Sequence, residues 1–202
     1  MLPWRRASSA KGRTLFLFAK PQAVSPIMGE KCFLRAPEQG DFAPWVALRQ
    51  ESRDFLEKWE PSWTAEEFSR SGFRYRLRVY SSRAQEDQAY VFFLFDLASQ
   101  ALIGGLTLSH VRRGVSQSAT LGYWVGEPFA RQGYMTDAIR TIIREARPRF
   151  ALHRLEAACL PRNEASRRLL LKCGFEAEGY ARQYVKIAST WEDHLLFGLV
   201  VP

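Results

Sequence analysis

The sequence predicts an α+β fold, a mixed central sheet that is antiparallel in its first half, carries a βαβ crossover in its second, and is flanked by helices. Three observations lead there. Two β-rich runs, 89–96 and 102–111, form a hairpin, a third strand follows at 118–125, and a strand–helix–strand–helix succession then occupies 118–173. The 202 residues, 47% hydrophobic and 25% charged, suffice for one sizeable core and not for two. No run approaches the ~18–20 apolar residues that span a bilayer, so membrane insertion is excluded as an expectation.

The elements can be justified in order. Lys31–Arg35 is a short strand, and Phe42, Trp45, Val46 and Leu48 form a helical stripe within Pro37–Ser52. Asp54–Trp59 continues helically until Pro61, and Thr64 with Glu67 three residues on is a capping box that should open a long helix to about Arg83. Leu97–Ala101 turns the hairpin. In Ser118–Val125 the alternation places Leu121, Tyr123 and Val125 on one face and Thr120, Gly122 and Trp124 on the other. Met135, Ala138, Ile139, Ile142, Ile143 and Ala146 mark an amphipathic helix that Pro148 should stop. A strand over Leu155–Leu160, an Asn163-capped helix through Cys173 ended by Gly174, and two strands over Glu176–Ile187 and Thr190–Val200 complete the chain.

The net charge of +8 is unevenly placed. Residues 1–27 carry Arg5, Arg6, Lys11, Arg13 and Lys20 with no acid, a basic and flexible arm of +5, whereas residues 28–202 hold 24 basic and 21 acidic side chains. The near balance of the body argues against direct nucleic-acid recognition. The arm lacks the long apolar run and small-residue cleavage pattern of a secretory signal. Cys32, Cys159 and Cys173 form no pairs at metal spacing, and His110, His153 and His194 have no ligand partners nearby, so no metal is expected and a reducing cytoplasm fits.

The most informative join is Val125–Thr136, VGEPFARQGYMT, which passes from strand to helix through Gly126 and Gly133. Such a segment is either a backbone cradle for a diphosphate at a helix N-terminus or an ordinary turn. A G-x-G-x-x-G, a Walker loop and a G-x-S-x-G elbow are all absent, which removes dinucleotide, NTP and α/β-hydrolase readings.

Seven short motifs occur in order over about 170 residues: Phe33-Leu34-Arg35; Arg53 to Pro61 (RDFLEKWEP); Leu121 to Gly126 (LGYWVG); Arg131 to Met135 (RQGYM); His153-Arg154-Leu155; Asn163 to Ser166 (NEAS); and Cys173-Gly174-Phe175 followed by Glu178-Gly179-Tyr180. In these the chain resembles the GNAT (GCN5-related) N-acetyltransferases, most closely the branch that acetylates ribosomal-protein N-terminal alanines. The resemblance implies acetyl-CoA as cosubstrate, a protein N-terminus as acceptor, a direct transfer in a ternary complex, and a monomer or homodimer. Alternatives are a small-molecule amine as acceptor, or a non-catalytic CoA-binding module.

It also implies roles for residues. The family's loop, [Q/R]-x-x-G-x-[G/A], begins here at Ala130 and ends at Met135, both departures, so the diphosphate would rest on main-chain groups of Arg131, Gln132, Gly133, Tyr134 and Met135. Trp124 and Val125 would pair with the pantetheine arm, with Asn163 beside it and the Val125 N–H serving the oxyanion. Arg162, Arg167, Arg168 and Lys172 would either meet adenosine phosphates or form a solvated helix face. The family's usual acidic Tyr is replaced by Leu170, so Ser166 is assigned the thiolate proton, the alternative being support of the helix start. The family's base position is Ala158; Glu156 is the nearest substitute on that strand. Trp59, Glu60, Trp63 and Tyr184 would wall the acceptor cleft, or serve as core and surface aromatics.

Overall fold

The structure, a computed structural model, describes residues 25–202. Eight strands, β1 (Ile27–Met28), β2 (Cys32–Arg35), β3 (Tyr90–Asp96), β4 (Leu102–Arg112), β5 (Ser118–Val125), β6 (Arg154–Cys159), β7 (Glu176–Ile187) and β8 (Thr190–Val200), form one sheet in the order β1-β2-β3-β4-β5-β6-β8-β7. Every neighbouring pair is antiparallel except β5 and β6, which run parallel across the helical crossover. Five α-helices flank it: α1 (Phe42–Glu51), α2 (Arg53–Leu56), α3 (Arg70–Gln85), α4 (Tyr134–Phe150) and α5 (Glu164–Lys172).

The periodicities explain the layers. The α4 stripe of Met135, Ala138, Ile139, Ile142 and Ala146 packs on one face of the sheet, against Leu106, Leu121, Leu155 and Phe197 among others. Trp45 and Leu48 of α1 and Phe73 of α3 cover the other face over Phe93 and Phe95. Burial of large side chains on both faces, at ~25 cal/mol per Å² of apolar surface, is what holds the central strands.

Four details differ from the sequence reading. Ile27 pairs with Leu34 and is only 1% exposed, so the folded body already includes the last residue assigned to the basic arm; residues 1–24 of that arm lie outside the described residues. Thr64 and Glu67 frame only a 3-10 turn at Ala65–Phe68. The long helix starts later because Ser69 caps it, its Oγ accepting from the Gly72 N–H at 2.9 Å. Pro148 lies inside α4 without stopping it. Phe150, 3% exposed and packed on Tyr90 and Phe92 at 5.0 and 6.0 Å, draws the last turn into the core, and packing outweighs the missing proline N–H.

Candidate active site

The parallel seam between β5 and β6 is short. Ser118, Ala119 and Thr120 face Arg154, Leu155 and Glu156, and beyond these the two strands no longer pair. β5 nevertheless remains bonded to β4 as far as Val125 opposite Gly104. The Gly126 N–H donates to the Ile103 carbonyl on the β4 side, so the alternation of the strand turns the main-chain groups of Val125 and Tyr123 toward the open edge. The result is a wedge lined by free backbone donors and acceptors.

At the wide end of the wedge, the loop from Gly126 leads to α4. It is tied down on several sides: the Glu127 N–H donates to Ser52 Oγ (2.8 Å), Gln132 Nε2 to the Pro128 carbonyl (2.7 Å) and Tyr134 Oη to Asp96 Oδ1 (2.9 Å). Arg131 at φ +61° and Gly133 at φ +87° bend the chain into the helix, and at Gly133 the absence of a side chain allows it. From Arg131 to Thr136 no main-chain N–H donates to another described residue. Those groups converge at the positive end of a 17-residue helix, an arrangement suited to an anion. Met135 turns its side chain into the core and Tyr134 turns its own toward β3, so both offer the loop only their backbones.

Lys31 was not anticipated. Its Nζ donates to the Gln132 carbonyl at 3.1 Å and lies 3.7 Å from where a Gly133 Cβ would be. Asp137 makes this possible by accepting from the main-chain N–H groups of Glu30, Lys31 and Cys32 at 2.8–3.0 Å. Burial alone would raise its pKa, but these hydrogen bonds prevail and hold the carboxyl below the ordinary aspartate range. It stays charged while facing the strand turn.

On the far side of the wedge, Asn163 caps α5, its Oδ1 accepting from the Ser166 N–H at 3.0 Å. Ser166 Oγ lies 2.7 Å from Tyr123 Oη, which reaches it from β5. Burial pushes the Tyr123 phenol far above its usual pKa, so it remains a proton donor. Burial also raises the nearby Cys159 thiol, partly opposed by a Ser166 contact. Leu170 is 0% exposed within the core and carries no chemistry. Nothing local in LGYWV marks Tyr123 for this role; it follows from the register of β5 against α5.

Glu156 does not join this group. The alternation of β6 sends Leu155, Ala157 and Cys159 to the α4–α5 face and Glu156 to the opposite one, at the closed end of the wedge. There it is held by Arg112 and, at 3.2 Å, by Arg154. A carboxylate held in two ion pairs is poorly suited to act as a base.

A cavity of about 310 Å³ lies between the sheet and the α1–α3 layer, with Glu60, Trp63 and Trp124 in its wall. Arg49 is gripped by Glu60 through two bonds of 3.0 and 2.5 Å and lies 4.0 Å over Trp63 and 4.8 Å over Trp124. Trp63 Nε1 donates to the same carboxylate at 3.0 Å. Glu67, also in the wall, pairs with Arg76 at 3.2 Å, so both carboxylates are matched by guanidinium groups. Trp59 is not in this wall but sits beside Lys58 on the preceding 3-10 turn. Tyr184, 52% exposed, packs over His194 on the edge strand, also apart from it. Of the basic residues assigned to the adenosine phosphates, Arg162 is bidentate to Glu192 at 3.0 Å and Arg167 binds Glu164 at 2.8 Å, with Arg168 3.6 Å from the same glutamate.

Comparison with known proteins gives a consistent result. A family model described as an acetyltransferase (GNAT) domain matches residues 31–176. The chain is 35% identical over 176 residues to the "Probable N-acetyltransferase YjcK" of Bacillus subtilis (strain 168), covering 87% of this chain and 97% of that protein. It is 36% identical over 152 residues to the "[Ribosomal protein uS5]-alanine N-acetyltransferase" of Escherichia coli (strain K12), covering 75% and 78%. Among solved structures, the ribosomal-protein-S5-alanine acetyltransferase of Vibrio fischeri superposes with a TM-score of 0.81 at 27% identity, covering 88% and 97%. RimJ of Mycobacterium smegmatis, in complex with CoA-disulfide, gives 0.81 at 27%, covering 89% and 88%.

Proposed function

The chain belongs to the acetyltransferase (GNAT) family, and from that premise we propose that it transfers the acetyl group of acetyl-CoA to the N-terminal α-amino group of a protein, a ribosomal protein being the favoured acceptor. The observation that carries this is the wedge itself: an unpaired strand edge, a row of free N–H groups at the start of α4, and a half-buried hydroxyl pair at its side. The diphosphate would lie on the N–H groups of Arg131 to Thr136 with Lys31 beside them, and the pantetheine arm along Trp124 and Val125.

The acceptor nitrogen attacks the thioester carbon as a neutral amine. A C–N bond forms while the carbonyl pair moves to oxygen, where the Val125 N–H receives it. As the C–S bond breaks, the sulfur takes the Ser166 proton, and Tyr123 resupplies Ser166 across 2.7 Å. The proton lost by nitrogen passes to water, and water returns one to the Tyr123 oxygen, which restores the phenol and balances the proton delivered to sulfur. An α-amine, with a pKa of about 7.7–8.0, is substantially neutral near pH 8 and needs no strong base. This suits a site in which Glu156 is already committed to two arginines.

A polyamine acceptor is disfavoured by the cavity, whose Glu60 and Glu67 are each neutralised by an arginine. A binding module without catalysis is the remaining reading. Calorimetry with acetyl-CoA, followed by thiol release with a panel of N-terminal peptides, separates them: binding with peptide-dependent thiol release is expected. Binding without release would favour the module, and absence of binding would remove the enzyme reading.

A further inference from the structure

We propose that the exposed face of α3 is an RNA-docking surface, built to take a phosphate backbone beside the acceptor cleft. The helix carries Arg70, Arg74, Arg76, Arg78 and Arg83 and no acid in 16 residues. Arg76 is turned inward to Glu67 and Tyr80. Arg70, Arg74 and Arg78 recur every fourth residue on the outer face, all three exposed, and none pairs with a carboxylate among the described residues. Four helical residues rise ~6 Å, so the three side chains leave the helix at even intervals and form a ladder of charge, the Arg70 guanidinium also lying 4.9 Å over the Phe42 ring.

Stability does not account for this ladder, since like charges four residues apart on a helix are destabilising. A polyanion does. Beside it lies an open groove of about 470 Å³ lined by Gln39, Ser71, Arg74, Leu77 and Arg78. Tyr75, 63% exposed, is outside this lining but next to Arg78, whose guanidinium lies 5.9 Å from its ring. Cations that follow a backbone, together with an aromatic face on which a base can stack, are the features that bind single-stranded nucleic acid. An acidic protein surface would use the arginines and leave Tyr75 without a role. The nearly balanced total charge of residues 28–202 hides this local concentration, which is why summed charge argued against nucleic acid.

The test uses the full chain and a short fluorescent single-stranded RNA of mixed sequence, followed by anisotropy. Substituting Arg70, Arg74 and Arg78 together by Ala should weaken binding roughly tenfold or more at about 100 mM salt, and should lower the slope of log K against log salt by about 2, at ~0.7 per phosphate contact. A control losing Arg140, Arg182 and Lys186, equal in charge and distant along the chain, should change little. Tyr75→Ala should weaken binding with the slope unchanged. Turnover of a free N-terminal peptide should be the same in all variants, so this result is independent of the acetyl-transfer reading. Equal losses in the ladder variant and the control, or no loss in either, would overturn the proposal. Competition by poly-glutamate as effective as by RNA would do so too, in favour of an acidic protein partner. Alanine raises helix propensity at these exposed sites, and a thermal melt verifies that the variants are folded.

Discussion

Strand β5 meets its two neighbours in opposite ways. Toward β4 it is bonded along nearly its whole length, from Val125 opposite Gly104 to Ser118 opposite Arg112, with one bulge between Ser109 and Arg112. Toward β6 it pairs only through Thr120 and then parts company. The closed edge uses hydrogen-bonding capacity for stability; the open edge keeps the same capacity for a ligand. Unpaired strand edges are normally a hazard of aggregation. Here the opening is internal to the sheet, between α4 and α5, where no second sheet can reach it. In the proposed reaction a single strand is both scaffold and binding surface, with Tyr123 turned to Ser166 on one face and Trp124 to Arg49 on the other.

The largest effect is expected on the closed edge. Gly105 lies directly under the Trp124 indole, and any Cβ there would collide with Nε1. Gly105→Val should therefore cost about 3 kcal/mol in a denaturant melt and open the stack on Arg49. A variant as stable as the wild type would mean that Trp124 can leave the strand freely, and the contrast between the edges would lose its structural half.

On the open edge, Ser166→Ala should reduce kcat by ten- to a hundred-fold with melting temperature and acetyl-CoA affinity unchanged. Unaltered turnover would return Ser166 to supporting the helix start. Tyr123→Phe should cost about tenfold, and in the Ser166→Ala background nothing further, since both act on one proton. Because burial raises the Tyr123 pKa, the phenol stays protonated through neutral and mildly alkaline pH. The wild-type rate should rise with deprotonation of the acceptor amine near pH 8 and show no fall attributable to this tyrosine below about pH 10.

The smallest effect concerns the corner that brings Lys31 to the loop. Asp137→Asn should lower stability by about 1 kcal/mol at pH 7, through weaker acceptance from Glu30, Lys31 and Cys32. The folded-state pKa of Asp137 is depressed, so its stabilisation is complete above the unfolded value of about 3.9 and is lost as pH falls through the lower folded value. Melting temperatures of variant and wild type should converge in that acidic window; a constant difference would show that the carboxylate charge is not what matters.

Much of the fold was legible because it rests on local signals. The bounds of β5, β7 and β8, Asn163 as the α5 cap and Gly174 at its end all follow from alternation and terminal chemistry. The start of α3 was misplaced because two capping signals, Thr64 and Ser69, stand five residues apart and only packing selects between them. At the site, the loop before α4 and the Asn163–Ser166 turn were found from motifs. Lys31 and Tyr123 were not, because Lys31 lies in no motif, Tyr123 lies in one that assigns it no role, and each acquires its place from a segment far along the chain.

The sequence by itself determined the succession of strands and helices, the caps and the family motifs, since each depends on residues within a few positions of one another. Only the tertiary structure decided where β5 and β6 part, that Tyr123 meets Ser166 across 43 positions, that Lys31 reaches Gln132 across 101, and that Glu156 is taken by Arg112 and Arg154. The reason is physical: strand divergence and cross-sheet contacts are set by how α4, α5 and the α1–α3 layer pack on the sheet, a balance of burial among distant segments that no local period encodes.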